Sequence, residues 1–392
     1  MPKTTSSRPS YLLREFDKPL YLAAHFGFVP IECPKISETD LKLTEDYRQS
    51  EPSLSSAKPL KTIHDSTEKA AFLRTYLEKD FGALSHPLSV AYKRFESSRR
   101  ANDYSFHIVG YPSAMAEAIL IRTALSILSE EGHKHLLVEI NSIGDKDSIT
   151  AYERELHAYA KKIACDIPAE YKKSLKDDIF EILKIDLPEN LRSKIPPSIA
   201  SLSSPSRAHF KEMLEYLERL GIEFRLDPNL VGNKHYTSQT IFSIKDVDDE
   251  SLLASGARYS RLTKRVGFKK EIHAVNMTIF GSSKAKETAK RIYKDLPKPK
   301  FYLIQLGREA KMKSLPLIEH LRQNRIPVYH FLGKDKITAQ LMSAEALRVP
   351  YLLILGQKEA LDDTVTIRNM TTRAQDTVHV GVLPEYLKNI AL

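Results

Sequence analysis

At 392 residues the chain is too long for one ordinary core, and two or three domains are expected. Hydrophobic residues at 42% and charged residues at 28% are ordinary for a folded protein, and no run approaches the roughly 18 apolar residues of a membrane span. A balance of 59 Lys+Arg against 50 Asp+Glu, net +9, suits a polyanionic partner without singling one out, and two distant cysteines, Cys33 and Cys165, exclude a disulfide framework or structural zinc site and fit a reducing cytoplasm.

Residues 1–8 carry some positive charge with no apolar run behind them, so they read as a flexible tail rather than a secretory signal. Ser10 after Pro9 opens a helix expected to reach Phe26, kinked at Pro19 and closed by Gly27. Phe28 to Cys33 reads as a strand ended by Pro34, residues 47–60 as a proline-broken loop, and Ser66 to Lys79 as a helix. Ser113 caps a helix over Ala114 to Leu128 that Gly132 stops, and a strand follows at Leu136 to Ile140. Residues 148–220 are helical in pattern almost throughout, broken at Pro168, Pro188 and Pro196-Pro197. Strand-like runs return at 224–226, 236–244 and 273–280.

The charged, proline-bearing stretch 295–300 marks a domain boundary. Beyond it strands at 301–306, 327–332, 351–355 and 364–370 alternate with helices at 311–323 and 337–347, the pattern of a small α/β domain with a largely parallel sheet.

Several collinear segments resemble histidyl-tRNA synthetases. Gly27-Phe-Val-Pro-Ile-Glu-Cys-Pro34 resembles the strand of the class II dimer interface, and Val138-Glu-Ile-Asn-Ser-Ile-Gly144 resembles the family's Asn-Ser-Leu-Gly stretch. Ser206 to Phe210, Leu220-Gly-Ile222 and Asp227 to Val231 lead toward the family's histidine pocket, Gly256-Ala-Arg-Tyr259 resembles its Gly-Gly-Arg-Tyr, and the last domain resembles its anticodon-binding domain. The resemblance covers nearly the whole chain from about residue 10. It implies an α+β fold, with a class II synthetase-like antiparallel sheet flanked by helices over residues 10–147 and 222–294, a helical insertion over 148–221, and a small α/β anticodon-binding domain over 297–392. It also implies a cytoplasmic homodimer whose partner is tRNA or another RNA.

Aminoacylation needs guanidinium groups on the ATP phosphates, polar groups on the amino acid, and a seat for the tRNA acceptor end. Arg94-Phe-Glu96 keeps the spacing of motif 2, whose Arg the family sets on the α-phosphate and whose Glu it sets near the adenine. Outside that collinear series a pair of solvated charges at a strand end is the plainer reading. Arg99 and Arg100 fall where the family's basic loop meets the acceptor stem, though a solvated loop would look the same. Asp103 and His107 stand where the family keeps a substrate-holding Gln and Glu, and His107 reads more simply as a strand residue.

The other grips are missing. The Leu-Arg-Pro-Glu-Gly-Thr segment falls on His64-Asp-Ser-Thr-Glu-Lys69, and Leu230-Val-Gly-Asn-Lys-His-Tyr-Thr237 replaces Leu-Val-Arg-Gly-Leu-Asp-Tyr-Tyr, putting Gly232 in place of an α-phosphate Arg. Motif 3's closing Glu-Arg becomes Ser282-Ser283, and the next residue, Lys284, points elsewhere and lacks the guanidinium fork. Losing one positioned charge-stabilising donor costs roughly 10²–10³ in rate, so the joint loss predicts an impaired enzyme.

Arg94, Glu96 and Arg258 remain as vestigial nucleotide-binding candidates, and Tyr236 and Tyr259 as amino-acid pocket candidates, with packing an equal alternative for the last three. No metal site is assigned, and no cofactor either; ATP with magnesium would be implied only where activity survives. Residues 297–392 hold 14 Lys+Arg against 9 Asp+Glu, a net +5, and the turn Gly333-Lys-Asp-Lys336 offers Lys334, Lys336 and backbone N–H groups to a phosphate. The leading expectation is therefore a synthetase-like RNA-binding protein with impaired catalysis. A divergent but active histidine–tRNA ligase is the alternative. A third is a histidine-sensing regulatory subunit like the synthetase-like partner of ATP phosphoribosyltransferase. That partner keeps much of the histidine pocket and lacks this last domain, which counts against the reading.

Overall fold

A computed structural model describes residues 12–48, 65–83, 87–94, 103–281, 292–295, 298–333 and 336–390. Its larger body is built on an eight-stranded sheet: β1 (Val29–Pro30), β2 (Leu88–Lys93), β3 (Tyr104–Val109), β4 (Leu136–Gly144), β5 (Phe224–Leu226), β6 (Ser238–Asp246), β7 (Leu252–Arg258) and β8 (Ala274–Ile279). The strand order is β1-β2-β3-β8-β7-β6-β4-β5, antiparallel throughout its middle and parallel at each edge.

Alternation along the strands divides the sheet into two unlike faces. Ala91, Tyr104, Phe106, Ile108, Val275, Met277, Phe242, Ile244, Val138 and Ile140 belong to one hydrophobic cluster. Against them lies the helix Met115–Glu130, buried along most of its length, and beside it on the same face the amphipathic helix Ser204–Arg219, through Phe210, Met213, Tyr216 and Leu217. The opposite face is polar along its β2-β3-β8 side, where Tyr92, Ser105, His107, Asn276 and Thr278 share rows with one another. Part of this face is covered by the helix Asp65–Glu78.

Three local expectations need correcting. Pro19 sits in the first turn of a short helix, Lys18–Ala24, and begins it rather than kinking it, because a first-turn residue has no intrahelical N–H bond to lose. Only Val29–Pro30 of the expected strand 28–33 is ladder, with an isolated bridge from Ile31 to Leu12. The sequence assigns no bounds to strands β2, β3 and β7, although it places Arg94 and His107 on strands; they mix polar with apolar residues rather than forming a uniformly apolar run, and every residue of β3 is buried.

The C-terminal body is a five-stranded sheet: β9 (Phe301–Gln305), β10 (Val328–His330), β11 (Tyr351–Leu355), β12 (Thr364–Asn369) and β13 (Gln375–His379), in the order β10-β9-β11-β12-β13. Its first three strands in space are parallel, as expected, while β12 and β13 form an antiparallel hairpin at one edge. The helix Arg308–Gln323 packs this sheet against the larger body, and Phe301, Leu303, Leu315, Ile318 and Leu353 join the same hydrophobic cluster as the first sheet. Polar contacts add to the joint: Tyr111 Oη donates to Leu332 O at 2.7 Å, and Arg122 meets Glu319 at 2.6 Å. Among the described residues, no helix is long and apolar enough to cross a membrane.

Candidate functional site

The polar sheet face and the helix over it assemble a connected cluster of side chains. Two strands enter it with alternate residues: Tyr92 and, just past the end of β2, Arg94 from one; Asp103, Ser105 and His107 from the other. Glu68 and Lys69 descend from the helix above. Arg94 meets Glu68 at 2.5 Å and Asp103 at 3.6 Å, and its own backbone N–H is held by Asp103 O. Glu68 also accepts from Ser105 at 2.6 Å and from Tyr92 Oη at 3.0 Å. Asp103 accepts the N–H of Gly281, fixing the end of β8.

His107 lies between two phenols, with Nε2 3.0 Å from Tyr92 Oη and Nδ1 2.7 Å from Tyr259 Oη, while Phe72 stacks on its ring at 4.0 Å. Burial pushes its pKa well below 6.5, and the charges of Lys69 and Arg94 push the same way, so the ring is neutral and serves as a hydrogen-bonding spacer. Burial raises both phenols, with the Glu68 charge adding to it. His107 is thus held neutral and both phenols protonated near neutrality.

Tyr236 and Tyr259, the two amino-acid pocket candidates, do come together. The ammonium of Lys69 lies over both rings, 5.3 Å from one centroid and 5.7 Å from the other, an arrangement that favours a cation between aromatic faces. Both rings are buried, at 3% and 0% exposure, and Tyr236 also packs on Tyr47. A chain-borne cation thus sits where an amino-acid ligand was expected.

Arg258 does not join Arg94. It pairs across the ladder with Val275 on the apolar face, so its side chain lies behind the sheet. It is also five strand residues from Arg94 along the ladder, about 17 Å at 3.3 Å per residue. Its guanidinium is spent within the fold: two bonds to Glu117 at 2.9 and 2.6 Å, and one each to the carbonyls of Tyr111 and Ser113. Burial alone would raise Glu117, but Arg258 and His209 outweigh it and hold the carboxyl down at about 2. Arg258 is a structural ion pair, and its candidacy as a nucleotide ligand is withdrawn.

Gly232, standing where the resemblance puts an arginine, is closed over by its neighbours: a Cβ there would meet Thr237 Oγ1 at 2.5 Å and Cγ2 at 2.7 Å. Glu96, Arg99, Arg100, Lys334, Ser282 and Ser283 lie outside the described residues. Lys336 is exposed and occupies the N-cap of the helix Ile337–Ala346, with no side-chain cap of its own. Sequence reasoning named Arg94, Asp103 and His107 but not Tyr92, Ser105, Glu68 or Lys69 as parts of one unit. The signal for the strand members is the period-two run of polar residues at 92, 94, 103, 105 and 107.

Residues 300–390 match the family described as "Anticodon binding domain". The chain is 26% identical over 337 residues to a histidine–tRNA ligase of Clostridioides difficile (strain 630), and 24% identical over 345 residues to that of Staphylococcus aureus (strain JH9); each match covers 81% of this chain and 80% of the relative. The crystal structure of apo Staphylococcus aureus histidyl-tRNA synthetase superposes with a TM-score of 0.52 at 23% identity, covering 93% of this chain and 92% of the other. That likeness establishes the shared α+β fold.

Proposed function

This chain belongs to the histidyl-tRNA synthetase family, and from that premise we propose that it acts in the cytoplasm as a homodimer that binds tRNA or a related RNA through residues 297–392, with aminoacylation largely lost. The observation that carries the loss is the ion-paired cluster on the polar sheet face. Arg94, the guanidinium kept from motif 2, is engaged by Glu68 and Asp103, and Lys69 fills the aromatic surroundings that an amino acid would need. To grip a phosphate, Arg94 would have to abandon a carboxylate that is itself nine-tenths buried, and a buried carboxylate stripped of its partner is costly. The enclosed Gly232 site supports the same reading, because no arginine fits there without rebuilding the turn around Thr237.

RNA binding is supported by the match over residues 300–390 and by the net +5 of residues 297–392. Two measurements test the two halves. Histidine-dependent ATP–pyrophosphate exchange should be near background, and robust exchange abolished by Arg94→Ala would overturn the catalytic half. Filter binding of unfractionated tRNA should be strong at low salt and weaken as salt rises; absent low-salt binding would overturn the RNA half.

A further inference from the structure

The helical segment 146–201 leaves the larger sheet and returns to it at one place. At its start Asp145 accepts the Ser148 N–H at 2.9 Å and so caps the helix Lys146–Lys162. At its end Ser198 Oγ lies 2.8 Å from Ser142 O and 3.1 Å from Asn141 Oδ1, and Ser203 Oγ donates to Asp145 Oδ2 at 2.6 Å. Both ends are thus tied at the end of β4. The middle of the segment lies against the sheet through a second apolar cluster, in which Leu156, Phe180 and Leu183 join Ile143 and Ile241. Among the described residues, the polar side-chain links from residues 153–184 to the body outside the insertion all go to one group. The ammonium of Lys234 lies 2.9 Å from Asp178 and 3.3 Å from Glu153.

Lys234 is itself firmly seated. Burial alone would lower its pKa, but Asp178 and then Glu153 outweigh it and hold the ammonium above its usual value. Its partner oxygen, Asp178 Oδ1, also accepts the Phe180 N–H at 3.0 Å, which fixes the carboxylate to the backbone of the insertion. On the other side the loop is bound to the body at three points. Asn233 Nδ2 donates to Tyr47 O at 3.1 Å, the His235 ring stacks on Tyr47 at 5.5 Å, and Arg261 Nη1 donates to Lys234 O at 2.7 Å. Asn233, Lys234 and His235 stand where the resembling segment has Gly-Leu-Asp, and each of the three side chains holds another part of this chain.

We propose that residues 233–237 form a clasp, with Lys234 as its latch, that keeps the helical insertion shut against the sheet; releasing Lys234 frees residues 153–184 to open on the anchors at β4. The two ion pairs share one ammonium, so they are lost together, and the apolar cluster is left to hold the segment alone. Tyr236 lies in the same loop two residues from the latch, so opening also alters access to the tyrosine pair. The clasp is a conformational device of this chain and does not depend on RNA binding.

Hydrogen exchange of the full chain, read by peptide, is the test, because local opening raises exchange only in the segment that opens. Lys234→Met keeps the stem that packs near Phe180 and removes the charge. Exchange in peptides from 153–184 should rise about ten-fold, the effect of losing roughly 1.4 kcal/mol of local holding energy, while the helix Met115–Glu130 keeps its wild-type exchange. Lys234→Arg, which keeps the charge, should restore most of the protection. Glu153→Gln, on the half-buried face of its helix, should give a smaller rise confined to the same peptides, and it covers the case in which Lys234→Met fails to fold. Sodium chloride at about 1 M, where screening acts within about 3 Å, should move wild type toward Lys234→Met and leave Lys234→Met itself unchanged. Wild-type exchange of 153–184 in Lys234→Met means that the apolar cluster alone holds the insertion, and overturns the latch. An equal rise in every peptide means that Lys234 supports the whole fold rather than one segment, and overturns it too.

Discussion

Arg94 and Arg258 show how little residue type says about residue role. Both are arginines in segments that match synthetase motifs, and both end in ion pairs with a glutamate of a covering helix, on opposite faces of the sheet. The Arg94–Glu68 pair is about 9% exposed on each side, so removing one partner leaves the other charge poorly solvated. Arg94→Ala should therefore cost about 3–5 kcal/mol in urea unfolding, and the double variant Arg94→Met/Glu68→Leu should be more stable than Arg94→Ala alone. If Arg94→Ala were neutral, the pair would be loosely held and free to release its guanidinium to a ligand.

At the scale of elements, the two bodies meet where the short helix Lys18–Ala24 runs into Gly27 and faces β10. His330 Nε2–H donates to His25 O at 3.1 Å, and the His330 ring lies 3.3 Å from where a Cβ on Gly27 would stand, so the positive φ of 85° and the close approach both call for glycine. Burial lowers both imidazoles from 6.5 to about 4; for His25 the Arg322 charge adds to this and Glu319 opposes it, while for His330 the bond to His25 O opposes it. Between pH 6.5 and about 4 the unfolded chain binds protons that the folded chain refuses, so stability falls as pH falls through that window. Each ring contributes at most about 3 kcal/mol of that loss, at 1.36 kcal/mol per pH unit. His330→Gln keeps a donor and removes one titration, so denaturant unfolding across that pH range should show a shallower acid limb than wild type. An identical limb would place the acid sensitivity elsewhere.

The whole molecule is joined by one hydrophobic cluster that runs from the first sheet, through the helix Met115–Glu130, to the helix Arg308–Gln323 and the second sheet. Bodies sharing a continuous apolar joint lose it together, because opening one exposes the face of the other. Calorimetry should accordingly show a single cooperative transition for the larger sheet and the C-terminal domain; two separated transitions would mean the joint contributes little.

The small α/β domain at the C-terminal end was legible from local pattern, whereas the α+β class of the larger body was implied by the family resemblance. The proline-and-charge stretch before Phe301, the 3.6-residue periods of the helices near 115–130 and 308–323, and the short apolar runs of β9 and β11 depend only on neighbouring residues. That Gly232 stands where the family resemblance puts an arginine is an identity visible at one position. What only the tertiary structure decided is which charges meet. Arg258 could not be read as a structural residue until its strand register placed it behind the sheet against Glu117, and Lys69 could not be read as the occupant of the tyrosine pair until helix Asp65–Glu78 lay across that face. Strands β2, β3 and β7 were hidden for the same reason. Their polar residues are buried on one face of a sheet by a helix distant in sequence, and no local window contains that cover.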